Sequence, residues 1–341
     1  MTFDERVHAL APLGFSEPQT RFLVTVALHS GFCLRRHYTA FAGLKYGAGV
    51  RDFLDRLVAR KLATRLGFRR DRGHVYHLNA CSIYSAIEQD DNRNRRRTSP
   101  ALIARKLMLL DYVLGGPAAE WYATEQDKVT LFTTRFGVLP THLPQRVYLA
   151  RRAGDANTTR YFIHKLPIHV VGDPPTVSLV FLVTDTTGTA FEQFLQDHLR
   201  LLNRLPNWHI VAVAPRHIPG LPACTAALRR FCCALLEPRP AEEIAQLGIY
   251  FTRRESVERD DLGFTTGNFN KIIAEWHKAR ARFAAAEFQE LYRRWKEDGP
   301  SALENRGAEP FLTALRERRG QLVTHQLPIR YDRFGTRAGV V

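Results

Sequence analysis

Cysteine is scarce in this 341-residue chain and poorly placed for chemistry. The five are Cys33, Cys81, Cys224, Cys232 and Cys233, an odd number with no Cys-x-x-Cys pair. That spacing argues against a zinc ribbon and against a disulfide framework, and fits small buried thiols in a reducing compartment. Long apolar runs are missing as well: none approaches the roughly 18 residues that a membrane span needs. No N-terminal stretch has the charged, apolar and small-residue zones of a signal peptide. The expected location is cytoplasmic, with no membrane partner. The sequence also lacks G-x-x-x-x-G-K-[ST], G-x-G-x-x-G and G-x-S-x-G, the loops that cradle phosphates or present a nucleophile. No cofactor is expected.

Acidic residues are outnumbered. Lys and Arg total 49 against 34 Asp and Glu, for a formal net charge of +15. The surplus is concentrated: residues 35–72 hold eleven basic and three acidic side chains, whereas residues 155–190 hold two and three. Positive charge gathered in one short stretch suits a polyanionic partner, nucleic acid before membrane.

That stretch has a readable pattern. Ser16-Glu17-Pro18-Gln19 is a helix start, with serine at the cap, proline in the first turn and glutamine three residues on. A first helix is expected to His29, a second over Arg35–Phe41, and a turn over Gly43–Gly49. A third helix follows, with Val50, Phe53, Leu54, Leu57 and Val58 on one face. Leu62–Leu66 and His74–Leu78 read as strands joined by an arginine-rich, glycine-bounded turn. Three helices and a two-stranded hairpin predict a winged helix-turn-helix over residues 1–90. In such a module the third helix enters the major groove and the wing straddles the backbone. Lys45, Tyr46, Arg51 and Arg56 would face the groove. Arg65, Arg69, Arg70 and Arg72 would reach phosphates or the minor groove, and His74 opens the second wing strand. The bland alternative is that these arginines are solvated or paired with Asp52, Asp55 and Asp71.

Residues 91–100 are polar and arginine-rich and read as a basic linker. An α/β domain is expected over 101–250, and a helical C-terminal region with an exposed tail over 251–341. Residues 101–115 form a helix. Val129–Thr133, Arg146–Ala150 and Arg160–Val171 look strand-like. Val177–Val183 is an unbroken apolar run of the kind buried on both faces of a sheet. Phe191–Asn203 is helical and Trp208–Ala214 is a second buried strand. Helices are expected over 222–237 and 240–247, a single long one over Asn270–Trp295, and another over Leu303–Gln321.

The α/β order matches that of the restriction-endonuclease-like core, so the class expected is α/β (α+β overall). An active core of that kind carries a carboxylate and a lysine two residues apart on one strand, to hold Mg²⁺ and position water. Here the run ends Val183-Thr184-Asp185 with no such lysine. Asp173 and Asp185 are the only candidate metal ligands, and surface aspartates at strand ends are the simpler reading. His74 and His77 fall on opposite pleat faces, and His164 and His169 flank a proline; neither pair has metal-ligand company. Thr186-Thr187-Gly188-Thr189 could receive an anion at a helix start, although capping by Thr189 explains it as well.

Taken together, the GLKYGAGVRDFLDRLVARKLATRL…GHVYHL segment, the basic linker and the segment FLVTDTTGTAFEQFLQDHLRLLNRLPNWHIVAVAP resemble the replication-relaxation family of bacterial plasmids, conjugative elements and phages. The resemblance spans roughly residues 10–215 and rests on pattern. It implies DNA binding in a mobile-element setting and a nuclease-like second domain. Family members often carry an acidic residue near Thr184-Asp185, but the lysine-bearing signature is missing here, so no enzymatic activity is expected. The expected function is that of a double-stranded-DNA-binding transcriptional regulator or replication/conjugation accessory factor, with a homodimer or a protein partner on the C-terminal helices as further candidates. The competing readings are a metal-dependent nuclease and a protein-interaction assembly module.

Overall fold

The structure is a computed structural model. It describes the chain except for residues 46, 68–73, 117, 149–157, 219–220, 260–268, 284–285, 305–306, 332–338 and 341. The protein is mixed α/β, with mixed sheets and no barrel. It divides into two compact units: Met1–Ala227 with Ala314–Val341, and Leu228–Thr313.

The first unit begins with α1 (Phe3–Ala9), α2 (Glu17–His29), β1 (Phe32–Cys33), α3 (Arg35–Ala42) and α4 (Ala48–Ala59). β2 (Ala63–Gly67), β3 (His74–Leu78) and α5 (Cys81–Ala86) follow. The start of α2 is set as its sequence suggests: the Ser16 N–H donates to Gln19 Oε1 at 3.2 Å, and Pro18 sits in the first turn. Gly43, at φ 62°, ends α3 in the left-handed conformation that glycine adopts without strain. Val50, Phe53, Leu54 and Leu57 of α4 are buried, with Phe22, Tyr38, Tyr76 and Leu78, in one apolar cluster. β3 lies between β1 and β2, antiparallel to both, and β11 (Gly339–Val340) pairs antiparallel with the outer edge of β2.

The unit continues through α6 (Pro100–Gly115), β4 (Glu120–Tyr122), α7 (Glu125–Thr130) and the hairpin β5 (Gln145–Tyr148) and β6 (Thr158–Tyr161). Next come β7 (Ile168–Val171), β8 (Thr176–Leu182), α8 (Thr189–Leu202), β9 (Trp208–Ala214) and the start of α9 (Leu221–Leu236). The five-stranded sheet has the order β10-β9-β8-β7-β4, with β10 (Gly320–Gln326) contributed from near the C-terminus. β8, β9 and β10 are parallel, while β7 and β4 are each antiparallel to their neighbours. β8 is buried on both faces, which accounts for its unbroken apolar run. Phe181 packs on Phe191 and Phe194 of α8, with ring centroids 5.0 and 5.2 Å apart. On the opposite face Val180 joins Ile103, Leu107, Met108 and Tyr112 of α6. The same cluster takes in Phe32 and Val75, so the four-stranded sheet and the five-stranded sheet share α6 as a common support.

Polar groups fix this assembly. Asp111 of α6 accepts from Arg36 and from the Tyr331 hydroxyl, and His37 Nε2 lies 3.0 Å from its other oxygen. The Leu34 N–H donates to His37 Nδ1 at 3.1 Å, which leaves the proton of the neutral ring on Nε2, toward the carboxylate. Burial pushes the Asp111 carboxyl upward, but His37, Arg36 and Tyr331 together outweigh it and hold the group below its ordinary range. Arg6 of α1 makes two hydrogen bonds to Asp127 of α7, at 2.9 and 3.1 Å. Lys128 is only 1% exposed; its Nζ donates to the Leu166 carbonyl at 2.7 Å, and burial pushes the ammonium down to about 7.

The second unit holds α10 (Ala241–Glu258), α11 (Phe269–Arg282) and α12 (Ala286–Asp298), with the end of α9 and the start of α13 (Glu309–Arg316). Leu247, Tyr250, Phe251, Phe283, Leu291 and Tyr292 form its core. Glu258 accepts from Arg254 Nε at 2.9 Å and from the Tyr292 hydroxyl at 3.0 Å, which ties α10 to α12.

Several expectations are corrected. Val129–Thr133 is not a strand: Thr124 caps α7 by accepting from the Asp127 N–H at 3.0 Å, and the chain continues helically through Arg135. Arg160–Val171 is two strands rather than one. Asn270–Trp295 is two helices, and the segment expected as a helix over Leu303–Gln321 contains α13 and then turns into β10. Residues 91–100 are no free linker. Asn94 Nδ2 donates to the Ala27 and Leu28 carbonyls at the end of α2, and its Oδ1 accepts from Lys106 at 2.6 Å. Gly31, at φ 75°, leaves the space that the Asn94 carbonyl fills. The boundaries expected near residues 90, 100 and 250 therefore do not separate compact units. The expected C-terminal tail is likewise anchored, since Leu327 and Tyr331 are buried.

Replacing Asp111 with alanine leaves Arg36 and His37 without their carboxylate and is expected to cost about 2–3 kcal/mol at neutral pH, measured by urea unfolding. The depressed carboxyl contributes above the unfolded-state value near 4 and loses that contribution as pH falls through its lower folded value, so wild type and variant converge in acid. Lys128→Met tests the opposite sign. From pH 7 to about 10.5 the unfolded chain holds a Lys128 proton that the folded chain lacks, so wild-type stability should rise by roughly a few kcal/mol relative to the variant. A difference that stays flat over that range contradicts the assignment.

Candidate nucleic-acid interface

The α4 helix sits with Val50, Phe53, Leu54 and Leu57 inward, which fixes what the other positions present. Asp52 and Asp55, three residues apart, occupy the outermost strip and are exposed. Arg51 flanks that strip on one side. Arg56 and Arg60 flank it on the other.

The two flanks differ. Arg51 is exposed and makes no ion pair or side-chain hydrogen bond among the described residues. Arg56, expected to face the groove, is instead turned against the fold: it donates to Gln19 Oε1 at 3.2 Å and lies 5.4 Å over the Phe15 ring. Arg60 does the same, donating to the Leu13 carbonyl and stacking on Phe15 at 5.1 Å. These two arginines hold the start of α2 to the end of α4. Lys45 is exposed in the turn before α4.

On the hairpin, Arg65 is exposed and pairs in register with Tyr76 of β3. The Tyr76 hydroxyl accepts from Arg35 Nε at 3.2 Å, which brings the first residue of α3 to the same place. His74 is half-buried beside them. Burial, then the positive charges of Arg65 and Arg35, hold its imidazole below the usual range against the opposing charge of Asp55, so it is neutral at pH 7. Arg35 was not among the residues expected at the site. The only signal for it in the sequence is its position at the start of the second helix. Tyr46, Arg69, Arg70 and Arg72, the remaining expected contacts, lie outside the described residues. Neither Asp52 nor Asp55 forms an ion pair among the described residues, so Arg51 and Arg65 are solvated rather than paired with them, and Asp71 lies outside the described residues.

The back of the hairpin is covered. Leu66 and Val75 face α6 and the five-stranded sheet, and His77 stacks on Phe32 with centroids 4.1 Å apart. The other face of the sheet is covered in turn by the helices, since Ala63, Tyr76 and Leu78 are buried with α2, α3 and α4, so the exposed positions left for a partner are Arg65 and the outer strip of α4.

The proposed metal pair is overturned. Asp173 lies in the turn between β7 and β8, and Asp185 lies beyond the other end of β8. A seven-residue strand, roughly 20 Å long, stands between them, too far for one ion to bridge. Asp185 instead shapes the loop before α8. Its Oδ1 accepts from the Thr187 N–H at 2.9 Å, the Thr187 hydroxyl at 2.8 Å and the Gly188 N–H at 3.3 Å. Those bonds, the Thr187 hydroxyl first, hold the carboxyl below its ordinary range. The start of α8 thus already carries an anion of its own, and the capping residue is Gly188 rather than Thr189. Among the described residues no three His, Cys, Asp or Glu side chains gather as a metal site, and no helix is long and apolar enough to cross a membrane.

Comparison with protein-family models, with curated proteins and with solved structures finds no match for this chain.

If Asp185 serves α8 rather than a metal, Asp185→Ala should cost about 1 kcal/mol in urea unfolding, the usual magnitude for a lost helix-start acceptor. Millimolar Mg²⁺ or Mn²⁺ should leave the wild-type Tm unchanged. A metal-dependent rise in Tm that disappears in the variant would return Asp185 to the role of ligand.

Proposed function

We propose that this chain is a duplex-DNA-binding protein whose contact surface is a winged helix formed by α2, α3, α4 and the β2–β3 hairpin. The observation that carries the reading is the order helix, short strand, helix, helix, hairpin, with Arg51 and Arg65 exposed and without carboxylate partners among the described residues. In this reading α4 is the recognition helix. Arg51, Lys45, Arg65 and Arg35 supply charge to phosphates, which sets position and salt dependence. Asp52 and Asp55 would be repelled by phosphates, so they belong at base edges, where a carboxylate accepts from the cytosine amino group. Arg69, Arg70 and Arg72 fall in the sequence between β2 and β3, outside the described residues, and add three positive charges to that segment.

The α/β portion is read as a degenerate restriction-endonuclease-like domain. The sheet supports this: β4, β7 and β8 are antiparallel neighbours, with α7 and the β5–β6 hairpin inserted between β4 and β7, and β9, reached through α8, is parallel to β8, which carries neither carboxylate nor lysine. Its role here is structural, supporting the hairpin through α6, and the protein does not cut DNA. The setting implied by the resemblance, a bacterial mobile element, makes it a transcriptional regulator or an accessory factor in replication or conjugation.

Fluorescence polarisation of the full chain with labelled duplexes tests this. Binding should fall steeply with salt, and Arg51→Ala and Arg65→Ala should each reduce the slope of log K against log salt by about 0.9. Arg56→Ala should lower Tm and leave the slope alone. Asp52→Ala should change which duplex is preferred more than how salt acts. An affinity that ignores salt, or slopes unmoved by Arg51→Ala and Arg65→Ala, contradicts the proposal. Intact plasmid after incubation with Mg²⁺ or Mn²⁺ is expected, and nicking in either would restore the nuclease reading.

A further inference from the structure

The second unit contains a pocket of about 210 Å³ between α10 and α11. Its walls are aromatic. Tyr250 and Trp276 lie near-parallel, with centroids 5.3 Å apart and an interplanar angle of 29°. Phe283 sits 5.3 Å from Tyr250, and Ala279 completes the floor. Ile249, 56% exposed, stands on the rim as a large apolar side chain left in water. Tyr250 and Phe283 are core residues, so the aromatic face left open to the cavity is that of the partly buried Trp276; a concave site with apolar walls and a few convergent polar groups is the usual form of a small-molecule site.

The rim carries Arg253, Lys278 and Arg282 against one carboxylate, Glu275. Glu275 is 3.6 Å from Arg253. Arg282 donates to the Gln246 side-chain carbonyl, a neutral acceptor, and lies 5.2 Å over the Phe283 ring. Lys278 is exposed, with no ion pair among the described residues. Two cations on the rim therefore lack a carboxylate among the described residues, above a floor suited to a flat ring.

We propose that this pocket binds a small aromatic carboxylate, its ring between Trp276 and the Ile249 and Ala279 side and its carboxylate on Lys278 and Arg282. The volume limits the ligand to one or two fused rings, since pockets for drug-sized molecules begin at roughly 300 Å³. An aromatic face gains more from stacking on Trp276 than a chain of equal area would, and a carboxylate gains charge-assisted hydrogen bonds from a lysine and an arginine at once. The pocket lies wholly within Leu228–Thr313, so the proposal is independent of the DNA reading.

Isothermal titration of the full chain with 2-naphthoate, and with its neutral counterpart 2-naphthylmethanol, tests the proposal. The carboxylate should bind, and the alcohol at least about tenfold more weakly, the ratio set by one charge-assisted interaction. Lys278→Gln with Arg282→Gln, both surface changes, should bring the carboxylate down to the affinity of the alcohol. Ala279→Phe, which fills the floor, should abolish binding of both; Ile249→Ser, made from outside, should weaken both if the crowded variant fails to fold. No binding of 2-naphthoate at millimolar concentration overturns the proposal. So does equal binding of the two probes, or an affinity that survives both the double charge change and the floor and rim variants, since the ligand would then sit elsewhere.

Discussion

The structure depends on one carboxylate. Asp111 stands on α6, the helix that packs against both the four-stranded sheet and the five-stranded sheet, and it gathers Arg36 and His37 from α3 and the Tyr331 hydroxyl from the C-terminal segment. A half-buried acid is tolerated here because three donors converge on it; without them it would be an uncompensated charge. The result is that α3, which sits directly before the candidate recognition helix, cannot move without disturbing α6, and α6 cannot move without disturbing both sheets. Arg6 with Asp127 and Asn94 with the end of α2 repeat the device at two further joints.

The same joints constrain the hairpin. A wing hanging free from its helices adapts to a backbone by bending. Here Leu66 and Val75 are packed on α6, so the base of the β2–β3 hairpin is held in place against that helix. For the duplex binding proposed above, preorganisation of that kind would reduce the ordering cost and narrow the range of geometries accepted. β11 adds a strand to the outer edge of β2, an edge that would otherwise present unpaired backbone groups to other chains.

Much of the helical and central-strand architecture was legible because local signals and tertiary needs agree there. The Ser16–Gln19 start, the five apolar positions of α4 and the Trp208–Ala214 run each have one physical solution, and the structure adopts it. The misreadings share a cause. β10 contains only Leu322 and Val323 as large apolar residues, because an edge strand needs a single partner and keeps half its surface in water. Val129–Thr133 is apolar with β-branched Val129, Thr130 and Thr133 and looked like a strand, but Asp127 beside it is fixed by Arg6, which lies 121 residues away in sequence. The arginines of residues 93–97 looked like a solvated run, and the one residue that anchors the segment, Asn94, carries no charge to draw attention. At the candidate site the direction of each arginine was the hidden quantity. Arg51 and Arg56 are equally plausible on a helical wheel, and only the position of Phe15 and Gln19 decides that Arg56 folds back.

Amide hydrogen exchange on the full chain, with and without saturating duplex DNA, bears most directly on the claim that α4 and the β2–β3 hairpin form the contact surface. The account predicts slowed exchange confined to the turn before α4, the first turns of that helix and the hairpin, with α8 and β9 unchanged. Protection that appears instead on α10 to α12, or on the five-stranded sheet alone, would contradict it.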